Sequence, residues 1–408
     1  MNQSRREFLA GAWMMAAASA AAGFASCAAA HDVAKWDPKM AAEFAVVTNG
    51  VKWLDGKTLP IEGRAFDDVE HWYDRLPANV TTNVNGGVRW MKHHTSGMQF
   101  RFKTDSSRLQ FRWTPFEMPL ALYHMPATAK SGIDVYRWDE AKGRWFHAAT
   151  GRIDEKKGCT LSVEWKPGTP CIVNLPLYNG VRDFSLGIDL EAKVEPLTPR
   201  KSGVTKPVVF YGTSITQGGC ASRPGLAYVN RIGRELDVPV VNLGFSGSGR
   251  MELEMADHLA RIDASCYVLD CLGNMSRPNR DKDAAFHDMY AAGFDENDPI
   301  SVLRFRYEPF IRALRAKRPD VPIVMSEHCE KSYNAPKMND LFVRELFGKL
   351  VAEGWTRLVH LPKDGMLPAD GEGTVDGGHP NDIGMESMAR AYGRAVREAL
   401  LSRSCQSP

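Results

Sequence analysis

Two periods divide the chain. Between about Trp36 and Leu197, short stretches alternate apolar and polar residues, as in Met98-Gln-Phe-Arg-Phe-Lys103 and Leu109-Gln-Phe-Arg-Trp113. Alternation of this kind is what a half-buried strand requires, because successive side chains leave opposite faces of a sheet. Thr104-Asp-Ser-Ser-Arg108 has the composition of a turn between these two strands. Further strands are predicted at 132–137, 144–148, 160–165, 171–175 and 184–190, with turn chemistry at Lys166-Pro-Gly-Thr-Pro170 and Tyr178-Asn-Gly180. Many short strands at this spacing predict an all-β sandwich of jelly-roll type.

After the Pro/Gly-rich segment Pro196-Leu-Thr-Pro-Arg-Lys-Ser-Gly203 the pattern changes. Apolar runs at 208–210, 238–243, 267–272, 321–325 and 358–361 alternate with helical stretches near 226–235, 251–262, 301–317, 336–352 and 382–402. Continuous apolar strands between amphipathic helices predict an α/β fold with a parallel sheet covered on both faces. Sites in such sheets form outside the carboxyl ends of the strands. Those ends carry Ser214, the loop Gly244-Phe-Ser-Gly-Ser-Gly249, Gly273-Asn274 and Glu327-His328.

Length agrees with two architectures: 408 residues are too many for one ordinary core. The expected division is 1–30, a leader; 31–200, the β-sandwich; and 201–408, the α/β domain. Ser4-Arg-Arg-Glu-Phe-Leu9 followed by an Ala/Met/Gly-rich stretch reads as a twin-arginine export signal, with export to the periplasm or cell surface. Cys27, after Phe24-Ala-Ser26, sits in an imperfect lipobox and is a candidate for lipid attachment. No other stretch of about twenty apolar residues is present, so no membrane span is expected. The first thirty residues hold two arginines and one glutamate, which leaves 49 basic residues against 48 acidic. That balance, with no basic cluster, argues against a nucleic-acid partner.

The cysteines beyond Cys27 stand at 159, 171, 220, 266, 271, 329 and 405, an odd count without CxxC spacing. They fit neither a disulfide framework nor a zinc site, although a single Cys159–Cys171 bridge is conceivable. Eight of the ten tryptophans fall between residues 36 and 165, either as sugar-stacking surface or as core.

The candidate chemistry lies at the strand ends. A serine hydroxyl is a poor nucleophile at neutral pH and needs a base, which in turn needs an orienting group. Ser214 follows the first strand of the parallel sheet at a Gly-Thr-Ser turn, and Asp376-Gly-Gly-His379 lies in a Gly/Pro/Asn-rich loop before the last helix. In this reading Ser214 is the nucleophile, His379 the general base and Asp376 its orienting carboxylate. The Ser214 and Gly247 amides and the Asn274 carboxamide would receive a developing oxyanion. His328 and His360 are competing bases, without a carboxylate three residues before them. Arg223, Glu327 and His328 are candidates for the walls of an acyl or alcohol pocket. No HExxH, HxH, P-loop or GxGxxG pattern appears, so neither metal nor cofactor is expected.

These blocks together resemble the SGNH, or GDSL-like, hydrolase superfamily. Tyr211-Gly-Thr-Ser-Ile-Thr-Gln-Gly218, Asn242-Leu-Gly-Phe-Ser-Gly247, Cys271-Leu-Gly-Asn274 and Asp376-Gly-Gly-His379 follow its four blocks in order. Gly132-Ile-Asp-Val-Tyr136 resembles the Gly-x-Asp-Leu-Tyr element of the β-sandwich that precedes one branch of bacterial SGNH esterases. The resemblance implies a flavodoxin-like three-layer catalytic domain, no metal, a triad of Ser214, His379 and Asp376, and an oxyanion hole from Ser214, Gly247 and Asn274. Thr213 replaces the usual Asp, Met275 follows Asn274 where many members have Asp, and Gly273 directly precedes the Asn. The expected activity is that of an exported carboxylic-ester hydrolase removing acetyl or other small acyl groups from carbohydrate. The rivals are a lipid acylhydrolase or thioesterase, and a catalytically inactive carbohydrate-binding protein.

Overall fold

The computed structural model describes residues 45–197, 199–275, 300–329 and 337–404, with 295, 297 and 298. The expected leader, Cys27 and Cys405 lie outside the described residues. Strands β1 (Val46–Thr48), β2 (Val51–Asp55), β3 (Ile61–Glu62), β4 (Gln99–Thr104), β5 (Arg108–Pro115), β6 (Asp134–Asp139), β7 (Arg144–Thr150), β8 (Cys159–Glu164), β9 (Pro170–Asn174), β10 (Val181–Ile188) and β11 (Val194–Pro196) build two antiparallel sheets. One runs β1-β2-β10-β5-β8, the other β11-β4-β9-β6-β7 with β3 on β4. Phe100 and Phe102 from one sheet, and Leu109, Phe111 and Trp113 from the other, meet in a single core.

The turn expected between β4 and β5 joins them without pairing them. The strands belong to different sheets, and Thr104–Arg108 is an arch between them. Both strands carry a large apolar face, and the arch lets those faces oppose one another across the core. The arch is held by side chains: Ser106 Oγ donates to Arg108 O at 2.6 Å, and Asp189 accepts from Ser107 N at 2.7 Å. The conceivable bridge is not formed: Cys159 and Cys171, on strands of different sheets, are both free.

Between β3 and β4 comes α1 (Gly86–Met91), and between β5 and β6 comes α2 (Ala127–Lys130). The second region holds β12 (Val208–Gly212), α3 (Ser214–Gln217), α4 (Tyr228–Glu235), β13 (Val240–Gly244), α5 (Leu253–Ala260), β14 (Cys266–Asp270), α6 (Ser301–Lys317), β15 (Ile323–Ser326), α7 (Met338–Ala352), β16 (Leu358–Leu361) and α8 (Asp382–Ser404). The parallel sheet runs β13-β12-β14-β15-β16, the 2-1-3-4-5 order of flavodoxin-like folds. Residues of β12 alternate between two cores: Val209 and Tyr211 pack toward α5 and α6, Val208 and Phe210 toward α4 and α8. Being buried on both faces is why these strands read as unbroken apolar runs. The chain order reverses between β12 and β14, which opens a crevice at their carboxyl ends.

The described residues belong to one compact unit. Segments of the first region pack on both sides of the parallel sheet: Phe66, Leu76, Val84 and Val88 join one core, Met125, Ala129, Leu177 and Tyr178 the other. Among the described residues no helix is long and apolar enough to cross a membrane.

Candidate active site

Ser214 opens the short α3 directly after β12. Thr213 caps that helix, its hydroxyl accepting from Ile215 N at 3.2 Å, and Thr216 Oγ1 accepts from Thr213 N at 3.2 Å. The Thr that stands where the family usually has Asp therefore supplies the oxygen an N-cap needs. Thr216 Oγ1 donates in turn to Asp270 at 2.8 Å, and Tyr228 OH donates to the same oxygen at 3.0 Å. Burial pushes the Asp270 carboxyl up to about 6, and the hydroxyls around it oppose that rise.

The loop before α8 brings the other two groups. Val375 N donates to His379 O at 2.9 Å and Asn381 N to Gly373 O at 3.0 Å, which closes a tight turn over residues 374–380. Asn381 Oδ1 then caps α8, accepting from Ile383 N at 3.0 Å. Asp382 holds the segment after Ser214 through Ser222 N (2.8 Å) and Ser222 Oγ (2.6 Å). The result is a chain of contacts: Ser214 Oγ lies 3.0 Å from His379 Nε2, and His379 Nδ1 lies 2.8 Å from Asp376 Oδ2. Asp376 Oδ1 accepts from the backbone of His379 at 2.7 Å and of Gly378 at 3.0 Å. Partial burial would raise the Asp376 carboxyl, but these hydrogen bonds outweigh it and bring the group down to about 2. A permanently ionised carboxylate at Nδ1 leaves Nε2 as the atom that faces the hydroxyl.

Gly247 takes a left-handed conformation, φ +63°, in the loop after β13. That loop and the strand before it are fastened to α3: Ser246 N donates to Gln217 Oε1 at 2.9 Å, and Asn242 Nδ2 to Thr216 O at 2.7 Å. Asn274 ends the turn after β14. Its carboxamide is best satisfied with Oδ1 accepting from Ser248 N (3.1 Å) and Gly249 N (3.2 Å). The reverse orientation offers only 3.4 Å contacts to Phe245 O and Gly249 O. Met275 is fully buried in the core beneath, which accounts for an apolar residue at that position.

The three pocket candidates fare differently. The His328 ring lies against Gly273, where a Cβ would come within 2.6 Å of it, so it borders the Asn274 turn. Arg223 turns away: it pairs with Asp134 at 2.7 Å, donates to Tyr136 OH at 2.6 Å, and lines a separate cleft of about 800 Å³. Glu327 is fully buried. Arg344, His360 and Lys363 N all donate to it. As for the tryptophans, Trp113 and Trp165 are core, while Trp138 and Trp145 form an edge-on pair in the Arg223 cleft.

Two contributors come from the sandwich, and no spacing in the sequence announces them. Tyr178 OH donates to the Ser214 carbonyl at 2.8 Å, beside Gly219 N at 2.8 Å. The His124 ring, on the loop before α2, lies 5.8 Å from that of His379. Burial and the neighbouring His379 push the His124 imidazole down.

Residues 205–397 match the model of the GDSL-like lipase/acylhydrolase family, and residues 51–194 match the model for the N-terminus of SGNH-hydro-type esterases. The chain belongs to the SGNH (GDSL-like) hydrolase superfamily, in the branch with an N-terminal β-sandwich. A crystal structure from Bacteroides ovatus, named for GDSL-like lipases, is similar at 26% identity and TM-score 0.71, over 86% of this chain and 98% of that one. The salicylyl-acyltransferase SsfX3 from a tetracycline biosynthetic pathway shares the fold at 17% identity and TM-score 0.65, over 86% and 98%. A family two carbohydrate esterase from Cellvibrio japonicus does so at 14% identity and TM-score 0.50, over 75% and 90%. No curated protein matches the chain.

Proposed function

We propose that the protein is a serine carboxylic-ester hydrolase that removes acetyl or other small acyl groups from carbohydrate. The observation that carries this reading is the contact of Ser214 Oγ with His379 Nε2 at 3.0 Å, backed by Asp376 at 2.8 Å. His379 takes the Ser214 proton as the oxygen attacks the ester carbonyl. The amides of Ser214 and Gly247 and the Asn274 NH₂ receive the oxyanion. Collapse expels the alcohol, which leaves with the proton from His379. Water, activated by the same imidazole, then attacks the acyl-enzyme and regenerates Ser214.

The carbohydrate preference is supported by the fold shared with the Cellvibrio japonicus carbohydrate esterase and by the half-buried Trp138, Trp145 and Phe146 in the second cleft. Export through the Arg5-Arg6 signal, with lipid attachment at Cys27, would place the enzyme where acylated glycans are met. The test is acetate release from a panel of acetylated glycans, alongside activated esters of increasing chain length. We expect acetyl esters to be turned over far faster than octanoyl esters, and Ser214→Ala to be inactive. Equal or better turnover of octanoyl esters would make it a lipid acylhydrolase. Near-wild-type turnover by Ser214→Ala would overturn the mechanism.

A further inference from the structure

A second group of chemically active side chains lies on the sandwich side and shares no residue with the triad. Glu70, His71 and Asp74 come from one turn, and His93 follows α1. Among the described residues it is the one cluster of three or more His, Cys, Asp or Glu whose ligand atoms converge, all within 4.8 Å of one another. His71 Nδ1 and His93 Nδ1 face each other at 3.3 Å. Asp74 Oδ1 is 2.7 Å from His93 Nδ1, and Asp74 Oδ2 is 3.6 Å from His71 Nδ1.

We propose that His71, Asp74 and His93, completed by Glu70, form a binding site for a divalent transition-metal ion of the zinc type, structural rather than catalytic. Two ligand nitrogens about 2.0–2.1 Å from a tetrahedral zinc stand about 3.3–3.4 Å apart, which is the spacing seen here. A single shared proton accounts for only part of the geometry. If it rides on His93 Nδ1 it bonds to Asp74 at 2.7 Å, and the His71 Nδ1 lone pair, 3.3 Å away, is a second and longer acceptor. Two imidazoles with carboxylates favour zinc over magnesium or calcium, which take all-oxygen sets.

Outer contacts hold the two rings before any ion arrives, while Asp74 Oδ1, 2.7 Å from His93 Nδ1, has to move back by about half an ångström to share an ion with it. The His93 ring stacks on Phe116 at 5.0 Å, the His71 ring meets Phe116 edge-on at 5.4 Å, and Asp74 accepts from His71 N at 3.0 Å. Such outer contacts fix ring orientation and ligand direction. Glu70 stands at the exposed rim, paired with Lys92 at 2.9 Å, and a turn of its side chain completes a fourfold set.

The site has a mechanical consequence. Arg75, next to Asp74, is fully buried and donates to Asn242 O (3.1 Å), Gly244 O (2.7 Å) and Met91 O (2.8 Å). An ion that ties the Glu70–Asp74 turn to the end of α1 braces the support of the loop that carries Gly247.

The test uses the full chain, stripped with chelator and titrated with ZnCl₂ against a chromophoric competitor, followed by thermal melts. We expect about one equivalent bound and a raised melting temperature with zinc, and no such rise with MgCl₂. His71→Ala and His93→Ala should each weaken binding by more than about tenfold. His71 is half exposed, so its variant keeps the fold of the parent. Superimposable zinc titrations of the parent and His71→Ala would overturn the proposal. So would zinc binding that disappears in His379→Ala instead, because the ion would then belong to the His124–His379 pair. Neither result depends on the protein being an esterase.

Discussion

Two histidine–carboxylate pairs sit at the carboxyl edge of the same parallel sheet, and only one of them has the makings of a catalyst. In the first, His379 Nδ1 lies 2.8 Å from Asp376; in the second, His360 Nε2 lies 2.9 Å from Glu327. Both carboxylates are brought down to about 2 by hydrogen bonds that outweigh the effect of burial. The difference lies in what else each group touches. His379 turns its remaining nitrogen to the Ser214 hydroxyl. The His360 ring packs against Phe347, while Arg344 and Lys363 N claim the rest of Glu327. A short, charge-assisted contact is thus no sign of chemistry by itself. The second ring nitrogen decides whether the pair is a rivet or a proton carrier.

This contrast can be broken at several points. The largest effect is expected from His379→Ala, which should lower kcat by about 10⁴-fold or more with little change in melting temperature. His360→Ala should do the reverse. Next comes Asp376→Asn, which keeps the shape but releases the tautomer, and should cost on the order of 10³–10⁴ in kcat, measured on an activated acetyl ester. Asn274→Ala should cost about 10²–10³, with KM nearly unchanged, if its NH₂ serves the oxyanion. A loss confined to KM would assign Asn274 to ground-state binding.

The smallest effect on turnover belongs to Glu327→Gln. It should leave kcat within about threefold and destabilise the fold by on the order of 2 kcal/mol, since Arg344 is partly exposed and its charge partly screened. The pH dependence carries a definite sign. Because the folded-state value is depressed, the stability supplied by Glu327 is complete above about pH 5 and is lost as pH falls from 4.5 through 2. Urea melts between pH 7 and 3 should show that loss in the parent and a flatter profile in Glu327→Gln.

Much of this was legible from residues alone, and the reason is local. Val208–Tyr211 must be a strand buried on both faces because nothing polar interrupts it, and Asp376 can reach His379 because only two glycines of tight loop separate them. What escaped was long-range. The Thr104–Arg108 turn reads the same whether it joins neighbours in one sheet or arches between two, since its sequence records the bend and not the partner strand. His360 has no carboxylate three residues before it in the sequence; its carboxylate arrives from the end of the adjacent strand, at position 327. Tyr178 and His124 carry no spacing toward Ser214 or His379, so only the folded chain brings them together.

The hydrogen bond from Tyr178 to the Ser214 carbonyl has a lesson for protein engineers. The backbone of Ser214 is steadied by a phenol that comes from the other architecture. Transplanting residues 201–408 onto a foreign partner would therefore strip the reactive turn of a brace. A working chimera would have to carry the stretch around residues 174–180 along with it, so the two halves are best treated as one inheritable part.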